Sequence, residues 1–355
     1  MPTAAGLNAM WPCWITRPHA AVLTLACLLC FGCDSATENF RHQFYAFGTL
    51  VTIDFFDTRP QSNVAAMAAI EARIRELDRN WYPWRKHPDE PQGELQRINA
   101  AIAAGQAIEV SPMLAELVRR ATDLEQLSGG RFNPAIGRLT ELWGFHDLAS
   151  LRASPPDEAE IQKWLSTSAS SDSLEWIGNE LRSNSPDMML DLGGIAKGSI
   201  LEQFVKILRD AGVENAIIDI GGDLTVLGHV NGRPARIGIR SPRSDDTLAW
   251  LDVTDGETVV TSGDYERFFE YEGRRYQHIL DPRSGYPVQH TITATVLHQD
   301  PVLADAAATA LLVAGSGAFE ELCTTLGLDE ALIVSASGDL RLTAAMEKRL
   351  NWTNR

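Results

Sequence analysis

Several devices that usually announce a function are missing from this 355-residue chain. No GxGxxG occurs after an apolar run. The glycine-rich turn DLGGIAKG at 191–198 does contain a lysine, Lys197, but it lacks the GxxxxGK[ST] spacing that cradles nucleotide phosphates. The histidines show no HExxH-like spacing, and no CxxC lies beyond residue 33, which argues against zinc. Ser262, in TSGD, lacks the GxSxG elbow of a serine hydrolase. Positive charge is short: 31 Lys+Arg against 47 Asp+Glu give a formal charge of −16, which disfavours a nucleic-acid partner. An acidic protein that binds an anionic ligand needs a local cationic device, such as a metal ion or a helix N-terminus.

Cysteine is almost absent after the first 33 residues. Four cysteines are at 13, 27, 30 and 33, and the fifth is Cys323. The apolar, uncharged run Ala20–Gly32 is too short to span a bilayer, follows Arg17 and precedes polar DSATEN, so residues 1–32 read as a secretory signal. Its end, CFGC, resembles a bacterial lipobox with Cys33 as the lipidated residue, and Asp34 resembles an inner-membrane retention signal. The expectation is a lipid anchor on the periplasmic face of the inner membrane. The alternative is a cleaved signal without lipid, and Met10 is an alternative start. Removal of residues 1–32 leaves 30 Lys+Arg against 47 Asp+Glu. With Cys33 capped, Cys323 has no partner for an internal disulfide.

The remainder reads as a polar tether at 33–43 and one α+β domain over 44–355. FYAFGTLVTIDFF (44–56) alternates as a strand broken at Gly48, and 64–78 has helical periodicity. A Trp-rich loop, WYPWRKHPDEPQG, covers 81–93. Ser111-Pro112 opens a helix that Gly129-Gly130 closes. Residues 147–187, rich in Ser, Pro and Asp, read as a surface insertion with one short helix. MMLDLGG then predicts a strand and turn, 199–211 a helix ending at Gly212, and AIIDIGG a second strand and turn. Two Asp-x-Gly-Gly turns at one edge predict a ligand crevice. A hairpin around Glu272-Gly273, the helix LADAAATALLVAG and a final helix–strand pair follow.

Candidate chemistry sits on these elements. Asp305 and Thr309 are four apart on one helix face and offer hard oxygens of the kind Mg²⁺ accepts. On this pair alone, a dipole-favoured Asp and a Thr bonded back to the previous turn are the plainer reading. In DLGGIAKG, Asp191 could accept from a ligand, Lys197 could face a phosphate and turn carbonyls could touch a metal. A bare strand–turn–helix joint with Lys197 in solvent is the alternative, which accounts for one glycine more easily than for three within six residues and their echo at 219–222. His278, just before Ile-Leu-Asp-Pro, is an acid/base candidate or a satisfied sheet histidine. Trp81, Tyr82 and Trp84 could stack on a planar ring or simply pack.

Taken in order, AFGTLV (46–51), SGGRFNPAIGRL with LWGF (128–145), DLGGIAKG (191–198), IDIGGDL (218–224), RIGIRSPR (236–243), TSGDYERFFEYEGRRYQHILDPRSGYPV (261–288) and LADAAATAL (303–311) resemble the ApbE family of FAD:protein FMN transferases. The resemblance covers about 44–343. It implies a single ApbE-type, T-fold-related α+β domain with mixed sheets, flanking helices and an FAD/Mg²⁺ site in a cleft. It further implies FAD as substrate, Mg²⁺ as cofactor, and transfer of FMN to a Ser or Thr hydroxyl of an exported redox protein, such as an electron-transport subunit, with release of AMP. Carried over by motif, Phe47, Trp84, Arg131, Phe132, Asn133, Asp191, Lys197, His278 and Ile279 fall at flavin- or FAD-contacting positions. His278 would be the acid/base. Asp305, Thr309 and the Gly194 carbonyl would hold the metal, which makes Asp305 part of the catalytic set. Asn133 replaces the usual Asp and Phe47 the usual Met. Two other outcomes keep the same site: an FAD pyrophosphatase giving FMN and AMP, or a flavin-binding lipoprotein without activity.

Overall fold

The computed structural model describes residues 40–56, 60–84, 91–147 and 151–353. The signal segment, Cys33 and the first part of the tether lie outside the described residues, as does 85–90 of the Trp-rich loop. The first strand begins at Phe40, inside the stretch expected as tether.

The principal sheet has eight strands, labelled here in chain order: β1 (Phe40–Ala46), β2 (Thr49–Phe55), β3 (Ala216–Ile220), β4 (Asp223–Leu227), β5 (Thr258–Gly263), β6 (Thr291–His298), β7 (Glu330–Ser335) and β8 (Leu340–Leu342). Their spatial order is their chain order, and every ladder is antiparallel. The sheet is thus a meander whose long connections carry everything else. In the α+β arrangement, helices and antiparallel sheets are combined, and the strand directions within each ladder are not mixed.

Alternation along the strands divides the inside into two cores. Ile218, Val260, Val296 and Ile333 pack with the helices, whereas Leu224, Val259, Leu297 and Leu332 pack with a smaller sheet of Ala235–Arg240, Thr247–Val253 and Asn351–Trp352. The central strands are therefore covered on both faces, and β6 is buried along nearly its whole length.

On the helical side, α1 (Pro60–Trp81), α2 (Glu94–Ala103) and α3 (Pro112–Leu127) precede α4 (Gly137–Leu142) and α5 (Glu158–Ser166). Then come α6 (Ala196–Asp210), α7 (Pro301–Ala314), α8 (Phe319–Leu326) and α9 (Ala344–Arg349). The α7 helix lies against β5, β6 and α6. It starts on Asp300, whose Oδ1 accepts from Val302 N (2.9 Å) and Leu303 N (3.1 Å), with Pro301 in the first turn. Ala at six of its fourteen positions lets it sit deep, and that depth buries Asp305 to 2 % exposure. Gly198 is what lets α6 come so close: a Cβ there would lie 2.2 Å from the Pro301 carbonyl oxygen.

The stretch 147–187 holds more than one short helix. After α5, whose Ile161 and Trp164 are buried in the main core, Leu174–Ile177 and Glu180–Ser183 form a hairpin that Ile108–Glu109 extends. The expected strand at MMLDLGG is instead an irregular buried segment with one bridge, Ile136 to Met189. Its backbone is satisfied otherwise: Asn99 accepts from Leu190 N (2.8 Å) and donates to Leu190 O (2.9 Å), and Asp191 N donates to Pro134 O (2.8 Å). Among the described residues no helix is long and apolar enough to cross a membrane.

Candidate active site

The DLGGIAKG turn leads into α6 directly beside α7. Gly198 N donates to Asp305 Oδ2 at 2.9 Å, so the N-terminal turn of α6 points backbone donors at the buried carboxylate. Four residues along α7, the Thr309 hydroxyl lies 3.3 Å from Ser262 Oγ on β5. Gly194 closes the group: a Cβ there would meet Thr309 Oγ1 and Phe132 Cε2, each at 3.3 Å. Thus Phe132, Gly194 and the Asp305–Thr309 face of α7, from three distant parts of the sequence, share one place. Thr293 Oγ1 donates to Ser262 O at 2.9 Å and steadies that part of β5.

Lys197 is half-buried and engaged by the protein. Its ammonium pairs with Asp223 Oδ2, and Asp223 Oδ1 accepts from Thr261 N at 3.0 Å. Burial alone would lower the Lys197 pKa, but Asp223 and Asp305 outweigh it and hold the ammonium charged. Burial, with Asp223 adding to it, pushes the Asp305 carboxyl up to about 7, against the pull of Lys197 and the α6 N–H groups.

Asp191 accepts from Gly193 N at 2.9 Å and from Thr140 Oγ1 at 3.1 Å. Burial raises its pKa, and these two bonds together with Arg267 counter the rise. His278 lies in the bend between the strand Arg274–Gln277 and Leu280–Asp281, and its N–H donates to Arg267 O at 3.0 Å. Burial first, then Arg267 and Lys197, lower its pKa well below the ordinary imidazole value. The ring is therefore neutral at physiological pH, its Nδ1 is buried without a partner, and the Phe145 ring meets it edge-on at 6.5 Å.

The aromatic loop contributes Trp84, whose ring lies 5.9 Å from that of His146 and 5.8 Å from that of Tyr82. Gln96 Nε2 donates to both Tyr82 O and Trp84 O and so fixes the loop. Arg131 Nη1 donates to Ser128 O at 3.0 Å. Asn133 braces its own turn, since Nδ2 donates to Ala169 O at 2.9 Å and Oδ1 accepts from Ala135 N at 2.7 Å. Ile279 is buried, and its carbonyl accepts from Val288 N at 3.0 Å. Phe47 sits in the β1–β2 turn at φ 55°, where its N–H donates to Asp78 Oδ1 at 3.3 Å.

Sequence reasoning does not select Asp223, Arg267 or Thr140, and it weighs Ser262 only as a hydrolase nucleophile. Asp223 stands in plain view within IDIGGDL, but no spacing rule connects it to a lysine 26 positions earlier. Only the β3–β4 turn and the α6 start bring them together.

The oxygen set at Asp305, Thr309 and Gly194 suits a hard cation. It has one buried carboxylate, a hydroxyl and a turn, which leaves positions for water or phosphate oxygens. Among the described residues no group of three or more His, Cys, Asp and Glu side chains that could hold a metal ion is found.

The ApbE family matches residues 47–344. A FAD:protein FMN transferase of Rhodobacter capsulatus is 36% identical over 311 residues, 86% of this chain and 57% of that protein. The chain thus spans little more than half the length of that relative. A FAD:protein FMN transferase of Vibrio cholerae is 30% identical over 81% of this chain and 85% of its own length. The crystal structure of the ApbE protein of Thermotoga maritima superimposes with a TM-score of 0.78 at 28% identity, covering 88% of this chain and 99% of the other. Over nearly the whole described domain, in sequence and in fold, the chain belongs to the ApbE family.

Proposed function

We propose that the protein transfers FMN from FAD to a Ser or Thr hydroxyl of a partner protein and releases AMP. One observation carries the reading beyond family membership. The turn that carries Lys197 also bonds the Asp305 carboxylate, Gly198 N to Oδ2 at 2.9 Å, while Gly194 of the same turn lies against Thr309 Oγ1. Those oxygens can hold a hard cation, and the buried Nδ1 of His278, which has no partner, is a ring nitrogen able to take a proton.

In the proposed step the acceptor oxygen attacks the phosphorus of the FMN half, and the phosphorus–oxygen bond to AMP breaks. The acceptor proton passes to a ring nitrogen of His278, which its lowered pKa keeps unprotonated. Lys197 holds Asp223 in place, and the α6 N–H of Gly198 orients Asp305. Mg²⁺, held by Asp305, Thr309 and the Gly194 carbonyl, would supply electrostatic stabilisation of the charge that develops on phosphoryl oxygens. Phe132, Trp84 and Phe47 are the aromatic candidates for the flavin, within a cleft that also takes in Arg131, Asn133, Asp191 and Ile279.

The proposal extends to place and partners. The lipobox-like CFGC at 30–33 supports a lipid anchor at Cys33 on the periplasmic face of the inner membrane, where exported electron-transport subunits are accessible acceptors. The test is incubation with FAD, Mg²⁺ and a candidate acceptor, followed by the intact mass of the acceptor. Covalent gain of FMN supports transfer. Free FMN with unmodified acceptors supports hydrolysis instead.

A further inference from the structure

Two cations act on His278, and they are not equivalent. Lys197 is already engaged by Asp223, with Asp305 adding negative charge nearby. Arg267 forms no ion pair and no side-chain hydrogen bond among the described residues. Its side chain is exposed to solvent, yet enough protein surrounds it to lower its pKa by burial, with Asp191 and Glu266 compensating only in part. The bond from His278 N to Arg267 O ties the two residues side by side. A guanidinium that keeps its five N–H donors free, within an otherwise acidic protein, matches the paired oxygens of an anion that arrives from solvent.

The loop that carries this residue is anchored. Arg243 grips Asp264 through two bonds, at 2.8 Å and 2.6 Å, and Asp264 N donates to Ile292 O at 2.9 Å. The Tyr265 ring lies against Gly263, where a Cβ would stand 2.5 Å from Cε1. Arg267 is therefore presented from a fixed base, which lowers the entropic cost of holding a ligand.

We propose that Arg267, and not Lys197, is the cation that grips the pyrophosphate of FAD, donating to its phosphoryl oxygens beside His278. The identity of the anion rests on the FMN-transferase reading. The location of the grip rests on which cation is already neutralised.

The test is equilibrium binding of FAD, ADP and riboflavin to the intact protein in EDTA, so that no metal contributes. ADP has the pyrophosphate without the flavin, and riboflavin the ring without phosphate. Arg267→Gln should weaken ADP and FAD about 10- to 100-fold and leave riboflavin unaffected. Arg267→Lys keeps the charge but loses the fork, so it should fall between the two. Unchanged ADP affinity in Arg267→Gln overturns the proposal, as does an equal loss for riboflavin. Should the Gln variant melt early, a folded Lys variant with wild-type ADP affinity overturns it as well. Wild-type protein that binds neither FAD nor ADP even after Mg²⁺ is restored overturns the transferase reading itself, whereas failure of the Arg267 claim alone leaves wild-type FAD binding intact.

Discussion

Lys197 and Asp223 face each other across the junction of α6 and the β3–β4 turn. The ammonium meets Asp223 Oδ2, while Oδ1 takes the Thr261 N–H at 3.0 Å. Asp223 is 1 % exposed and Lys197 33 %, so the pair is desolvated from one side only. Replacement of the lysine strands a buried carboxylate, whereas replacement of the aspartate leaves an ammonium that can still reach water. Lys197→Met should therefore cost about 2–4 kcal/mol of unfolding free energy and Asp223→Asn less, as read by denaturant titration. Equal or reversed costs would contradict this asymmetry.

Asp305→Ala and Thr309→Val probe the oxygen set. The first should reduce Mg²⁺-dependent turnover by on the order of 100-fold or more, because no neighbouring carboxylate on α7 replaces it. The second removes only a hydroxyl of similar shape and should show mainly as a higher Mg²⁺ requirement. Metal titration of initial rates distinguishes the two.

His278 gives a pH signature with a definite sign. Its folded pKa lies well below 6.5, so the native ring stays neutral while the unfolded ring takes a proton below about 6.5. Its contribution to stability is level above that point and becomes increasingly unfavourable as the pH falls. His278→Gln should flatten this part of the stability–pH curve between about pH 6.5 and 5. The same variant should lose about 10²- to 10⁴-fold in kcat and little in FAD affinity.

Gly194 and Gly198 lie four residues apart and should fail differently. Alanine at 198 would press on the backbone of Pro301 and Val302, at 2.2 Å and 2.8 Å, and neither can yield without separating α6 from α7. A loss of about 1–3 kcal/mol follows, measured by thermal or denaturant unfolding. Alanine at 194 meets Thr309 Oγ1 and the Phe132 ring at 3.3 Å, a contact that small shifts relieve. Its stability should change little while activity falls through displacement of Thr309.

Much of this architecture is legible in the sequence. Gly129-Gly130 after α3, the Glu272-Gly273 turn and the helix at 301–314 are local signals, and the structure has them where the pattern places them. The segment at 188–192 misleads because a buried apolar run reads as a strand, while its hydrogen bonds actually go to the Asn99 side chain and the Pro134 carbonyl. Asp223 and Arg267 escape notice for a different reason. Which cation is neutralised and which is left free depends on the approach of β4 and the 264–267 loop to α6, and no residue spacing encodes that approach.

In the proposed reaction, phosphorus–oxygen cleavage and attachment to the acceptor are one event. That coupling is tested most directly by counting, in the same reaction with FAD and Mg²⁺, the AMP released and the FMN covalently gained by the acceptor. The two should rise together in equal amounts, and both should fall together by on the order of 100-fold or more in Asp305→Ala. AMP accumulating beside free FMN, with the acceptor mass unchanged, would contradict it.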